Sequence, residues 1–144
     1  MKYIKPFHGS LGHINKLLNL CFRHNAIIAG GYAKFCALGP DGGKTNDIDI
    51  YMSCSADIDP SIVPFEKNYL SLLDGIINEL GYKKELETDN AITLKKLNEI
   101  DIQLIKPYYG KWLKTCGTVE DILQNFDFTI VKAAIVPDQQ DIIV

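Results

Sequence analysis

The feature that most constrains this chain is the tetrapeptide Asp47-Ile48-Asp49-Ile50, which follows the glycine pair Gly30-Gly31. Strand alternation sends Ile48 and Ile50 to one face and Asp47 and Asp49 to the other. Two like charges on neighbouring outward positions repel unless a cation lies between them. Upstream, Ile27-Ile28-Ala29 reads as a short apolar strand, and Gly30-Gly31 opens a helical turn that runs toward Gly39. Glycines let backbone N–H groups approach a ligand closely, and a helix N-terminus favours an anion such as phosphate. A polyphosphate cradle beside a divalent-metal site is the equipment that nucleotide transfer needs.

The whole chain fits that chemistry without proving it. Its 144 residues predict one domain, 1–144, long enough to bury about 68–70% of the unfolded surface. A net charge of −3 gives no general attraction to nucleic acid, so such a partner would need a local patch. Cys21, Cys36, Cys54 and Cys116 contain no CxxC pair, and His8, His13 and His24 no HxxxH. That spacing argues against structural zinc or a disulfide framework and points to a reducing cytoplasm. No run of about 18 apolar residues suggests a membrane partner.

Taken in order, Ser10 predicts an N-cap for a helix over 11–24, with Leu11, Ile14, Leu17, Leu18 and Cys21 on its buried side. A strand over 26–29 and the glycine-led helix follow. Pro40-Asp41-Gly42-Gly43 marks a loop, 47–52 the acidic strand and 53–64 a second loop. A long helix is predicted over 66–80, its stripe made of Tyr69, Leu70, Leu73, Ile76, Ile77 and Leu80, its stop Gly81. Residues 82–106 read as strands: Ile92 and Leu94 alternate with Thr93 and Lys95, and Ile100-Asp101-Ile102-Gln103-Leu104 alternates after a turn at Asn98-Glu99. Thr118-Val119-Glu120-Asp121 opens a short helix, and the tail suggests two strands joined around Pro137–Gln140.

Asp101 repeats the pattern of Asp47 and Asp49. If its strand neighbours theirs, three carboxylates converge on one sheet face and would hold two Mg²⁺ roughly 3.5–4 Å apart. Alternating acids also describe a plain solvated face, and Glu99 lies near enough to stand in for Asp101. Gly43-Lys44-Thr45 invites a P-loop reading, but the required earlier glycine is Leu38 and a strand follows where a helix should. Lys44 and Thr45 directly precede the acidic strand, within reach of phosphate or simply exposed. Lys34, one turn into the glycine-led helix, faces a triphosphate or open solvent.

Gly30-Gly31-Tyr32-Ala33-Lys34-Phe35-Cys36-Ala37-Leu38-Gly39 followed by Asp47-Ile48-Asp49 resembles the signature of the DNA polymerase beta-like nucleotidyltransferase superfamily. It is most similar to the branch of tRNA nucleotidyltransferases and poly(A) polymerases, with GGxVRDxLLG and then DxD. Asp127-Phe128-Thr129-Ile130 is similar to that branch's RRDFTINA motif. The resemblance implies an α+β fold, a mixed sheet with helices packed mainly on one face. It implies Mg²⁺ or Mn²⁺ held by Asp47, Asp49 and Asp101, and an NTP held by Gly30 and Gly31. Lys34, Lys44 and Thr45 would lie along the phosphates and Asp127 at the ribose. The acceptor would be a hydroxyl of a tRNA, another RNA end or a protein. The chain departs from the pattern at Phe35, which replaces an Asp, at Asn125-Phe126, which replace an Arg pair, and at Val131, which replaces an Asn. Two other readings stay open: a module of this fold that binds nucleotide, RNA or a partner protein without turnover, and the catalytic half of a toxin–antitoxin or phage–host system.

Overall fold

Alternating apolar residues build the centre of the molecule, and two strands carry most of it. The computed structural model describes residues 4–6, 12–38, 47–107, 115–124, 134–136 and 141–143. In chain order these form β1 (Ile4–Pro6), α1 (Gly12–Arg23), β2 (Ala26–Ala29), α2 (Gly31–Leu38), β3 (Asp47–Cys54) and α3 (Phe65–Asn78). Then come β4 (Lys83–Glu87), β5 (Ala91–Lys95), β6 (Asp101–Ile105), β7 (Cys116–Thr118), α4 (Val119–Gln124), β8 (Ala134–Val136) and β9 (Asp141–Ile143). A 3₁₀ turn, Pro60–Ile62, interrupts the loop before α3; Asp59 caps it by accepting from the Ser61 N–H.

The described strands join one sheet in the order β1-β9-β8-β2-β3-β6-β5-β4, with β7 pairing β3 outside that path. The sheet is mixed: β3 runs parallel to β6 and β7, and the other pairs are antiparallel. Ile28, Ile48, Ile50, Ile102, Leu104 and Leu94 form one apolar face, packed beneath Leu17 and Leu20 of α1, Ala33 of α2, and Tyr69, Leu72 and Ile76 of α3. On the opposite face the described residues cover only a part. There Ile122 of α4 packs with Ile27, Ala29 and Ala134, flanked by Tyr51, Val119 and Leu123. Among the described residues, three helices on one face and a six-residue helix on the other make the α+β arrangement expected, helices mainly on one side.

Local chemistry sets the ends. Thr118 and Asp121 cap α4 reciprocally: the Asp121 N–H donates to Thr118 Oγ1 and the Thr118 N–H to Asp121 Oδ2, both at 3.2 Å. Edge strand β4 is exposed along its whole length and mostly charged, a composition that discourages pairing with other chains. It is tied inward by the largely buried Lys106, whose Nζ donates to Glu87 Oε2 at 2.7 Å. One expected core position is wrong. Leu70 is exposed and Leu72 fully buried, because the inward face of α3 is set by Tyr69, Leu72 and Ile76, one side of a 3.6-residue repeat.

Helices α1 and α3 approach through Gly75, where an added Cβ would lie 2.8 Å from Cδ2 of the buried Leu20. Overpacking of this kind costs about 1–3 kcal/mol. Gly75→Val is therefore expected to lower the melting temperature by at least about 3 °C, measured by circular dichroism; an unchanged melting point would mean that the two helices are not packed closely at this position.

Candidate active site

The sheet register assembles the site. Asp47 pairs directly with Asp101 across the parallel β3–β6 ladder, and Asp49 pairs with Gln103. On its other side Asp49 pairs with Ala29 of β2, the residue before Gly30. Cross-strand partners point the same way, and neighbouring strands lie about 4.8 Å apart. Asp47, Asp49 and Asp101 therefore share one face, opposite the buried Ile48, Ile50 and Ile102. Glu99 sits in the turn before β6, outside this ladder.

Sharing a face is not the same as converging. Among the described residues no three His, Cys, Asp or Glu side chains are gathered closely enough to hold a metal ion. Asp101 leans instead toward β5, its Oδ2 lying 3.6 Å from Lys95 Nζ. The electrostatics at β3 are those of crowded acid. Burial, with the Asp47 charge adding to it, pushes the Asp49 carboxyl up to about 7. The next side chain on that face, Tyr51, is also pushed upward, by burial first and then by Asp49. Tyr82 is raised to about 12, by burial and then by Glu99 and Asp101, and its hydroxyl donates to the Ile100 carbonyl at 3.4 Å.

Gly30 is buried, with a φ of +87°, a left-handed conformation that costs glycine nothing. It turns the chain from β2 into α2, and its carbonyl accepts from the Lys34 N–H at 3.0 Å. Ala33 in the core, with Tyr32 and Cys36 packed against it, anchors the helix so that Gly30-Gly31 stays at the end of β2 beside Asp49. Lys34 is half-exposed. Lys44, Thr45 and Asp127 lie outside the described residues, as do Asn125, Phe126 and Val131. Two residues on the site face, Gln103 and Lys95, do not stand out as functional in the sequence. Both are nonetheless visible there as the outward members of alternating strands.

Residues 4–144 match the Gad2 family, described as Gabija anti-defense 2 family protein. This chain belongs to the Gabija anti-defense 2 family. No curated protein sequence matches it. Among solved structures, the Gad2-family chain is similar to a tRNA nucleotidyltransferase complexed with a primer tRNA and an incoming ATP analogue, at 17% identity and a TM-score of 0.53 over 83% of this chain and 30% of that one. It is also similar to CCA-adding enzyme in complex with ATP, at 19% identity and 0.58, covering 91% of this chain and 28% of the other. For CCA-adding enzyme with CTP the values are 15% and 0.58, covering 100% and 34%. These likenesses establish the nucleotidyltransferase-type fold, and the Gad2-family chain spans about a third of the length of those proteins or less. No helix among its described residues is long and apolar enough to cross a membrane.

The raised Asp49 carboxyl has a signed consequence. A group protonated more readily in the folded state loses stability for the fold as pH rises from its unfolded value, near 4, through about 7. In metal-free buffer, Asp49→Asn is thus expected to raise the melting temperature more at pH 8 than at pH 5. Equal shifts at both values would mean that Asp49 is not crowded by burial and Asp47.

Proposed function

We propose that this Gad2-family chain is a divalent-metal-dependent nucleotidyltransferase that moves an NMP from an NTP to a hydroxyl acceptor and releases pyrophosphate. The observation that carries this reading is the register that sets Asp101 beside Asp47, with Asp49 on the same face and Gly30-Gly31 at the adjoining strand end. The donor set fits Mg²⁺ or Mn²⁺: hard carboxylate oxygens, one of them, on Asp49, pushed up to about 7 by burial and then by the Asp47 charge. Asp47 and Asp49 would hold both ions and Asp101 one. When bound, the ions would neutralise the triphosphate and the developing charge at its α-phosphorus.

The chain's own residues then have separate tasks. The backbone N–H groups of Gly30 and Gly31 would cradle the triphosphate at the head of α2, with Lys34, and from the sequence Lys44 and Thr45, beside it. Asp127 would meet the ribose. Asp101 would receive the proton of the acceptor hydroxyl as its oxygen bonds to the α-phosphorus and the bond to the β-phosphate bridge breaks. Positioning supplies much of the rate. The family's description supports a role in countering Gabija defence, which accords with the phage–host form of the function.

A second reading is a binding module of this fold without turnover. Phe35 and Asn125-Phe126 in place of the branch's charged residues favour it, as does an Asp101 engaged with Lys95. Pyrophosphate release from each NTP in Mg²⁺, with cell extract as acceptor source, separates the two. Asp47→Asn combined with Asp49→Asn should abolish release, and in EDTA it should leave the melting temperature equal or higher. Release that survives the double substitution removes these acids from the mechanism.

Asp101 should behave differently from Asp47. Asp101→Ala is expected to leave NTP affinity nearly unchanged while slowing single-turnover transfer by about 10²–10⁴-fold. Asp47→Ala should weaken binding and chemistry together. If Glu99→Ala shows the rate loss and Asp101→Ala does not, the third carboxylate is Glu99.

A further inference from the structure

We infer that Lys95 and Lys83 form an anion subsite for a phosphate of a polynucleotide acceptor, so that the hydroxyl receiving the nucleotide is a nucleic-acid end and not a protein side chain. The inference deepens the proposed transfer and rests on it for the meaning of "acceptor".

The argument begins with one cross-strand row. Asp47 pairs with Asp101, Asp101 meets Lys95 at 3.6 Å, and Lys95 pairs directly with Lys83 of the edge strand β4. All four lie on the sheet face that carries Asp49. The row reads acid, acid, base, base. Like charges placed directly opposite destabilise a sheet, so the lysine pair poses the same problem as the carboxylates with the sign reversed. Neighbouring lysines are satisfied within the protein: Lys84 donates to Glu87 at 3.0 Å, Lys106 to Glu87, and Lys96 to the Leu80 carbonyl at 2.6 Å. Lys83 has no ion-pair or hydrogen-bond partner among the described residues, and Lys95 is half-exposed. An arriving anion would settle the repulsion between them.

Position decides which anion. The glycine pair lies on the β2 side of β3, and the lysines lie on the β6–β5–β4 side. The carboxylates stand between. With the triphosphate assigned to the glycines, the lysines fall to the other reactant, beside Asp101. A second row strengthens the assignment. Asp49 pairs with Gln103, Gln103 with Thr93, and Thr93 with Leu86, which is exposed. That row runs about 7 Å from the first, two residues away along β3, β6 and β5 and three along β4, where the register shifts between Lys84 and Leu86. A phosphate on the lysines would set its sugar and base over Gln103, Thr93 and Leu86, hydrogen-bonding groups followed by an apolar surface. A hydroxyl-bearing peptide brings no phosphate and would leave the lysines opposed. With a net charge of −3, any hold on a polynucleotide must be local in this way.

The test is fluorescence anisotropy of a 5′-labelled single-stranded oligoribonucleotide ending in a 3′-hydroxyl, with the full chain in Mg²⁺ and no NTP. Lys83→Gln plus Lys95→Gln is expected to weaken binding about tenfold or more and to flatten the log–log salt slope by about 0.7 for each phosphate no longer neutralised. NTP affinity, by calorimetry, should change less than about twofold. Lys83→Gln alone touches no carboxylate, so a loss there does not arise from releasing Asp101. The proposal is overturned if the parent does not bind the oligonucleotide, if the double variant binds it equally well, or if NTP affinity falls instead, which would give the lysines to the triphosphate. Label passing to a protein at the parental rate in the double variant overturns it as well. Lysine-dependent binding in a parent that releases no pyrophosphate from any NTP would sink the transfer reaction and leave the subsite standing.

Discussion

The parallel pairing of β3 with β6 is the constraint on which the rest depends. It joins two short strands with the same pattern, Asp-Ile-Asp-Ile and Asp-Ile-Gln-Leu, in a register that matches acid to acid and isoleucine to isoleucine. On the inner face this buries Ile48, Ile50, Ile102 and Leu104 completely. Each fully buried aliphatic side chain contributes about 1.5–3 kcal/mol of transfer free energy. A slip of one residue would exchange the faces and bury carboxylates under α1 and α3. The apolar side of the ladder thus fixes the acids of the other side against their mutual repulsion. Asp49, raised to about 7, is where that opposition is felt.

The outer face is divided by what covers it. Small residues, Ala29 and Ala134, let Ile122 of α4 settle over β2 and β8, and the capping pair Thr118 and Asp121 holds that short helix in place. Nothing equivalent among the described residues covers the outward side of β6, β5 and β4, where Asp101, Gln103, Thr93 and Lys95 stand partly or largely exposed. The core therefore needs one face of this half of the sheet, and its other face can vary in charge and shape at little cost to stability. That is a sound place for a binding surface, because side chains on paired strands keep fixed mutual distances.

Much of this was legible from residues in the chain. Period-two alternation found β3, β5 and β6, helical spacing found α1 and α3, and Thr118-Val119-Glu120-Asp121 announced α4 by its caps. The glycine-led turn and the pair of acids stood in the right order. Other parts were not legible because they depend on partners distant in sequence. Leu70 and Leu72 are equally apolar, and the core cluster that Leu72 joins with Tyr69 and Ile76 decides which is buried. The strands β1 and β7 are three residues long, too short for any pattern, and exist because β9 and β3 offer them edges. Sequence could suggest that Asp101 faces outward; it could not say that Asp47 would be its partner, or that Lys95 would lie on its far side.

Lys95 bears on how such a site survives empty. Carboxylates crowded on a sheet need positive charge, and a chain can supply it from a proton, a lysine or a metal ion. Asp49, half-buried beside β2, takes the first course. Asp101, nearer the edge and about one-third exposed, takes the second. An ion pair at such exposure is worth about 0–1 kcal/mol, enough to orient a side chain and too little to hold it against a divalent cation with several oxygen ligands. The same lysine that steadies Asp101 in the empty site is placed to turn toward an incoming phosphate when the acid is drawn away. Acid and base would then part in opposite directions along one row of the sheet, each toward the charge that its reactant brings.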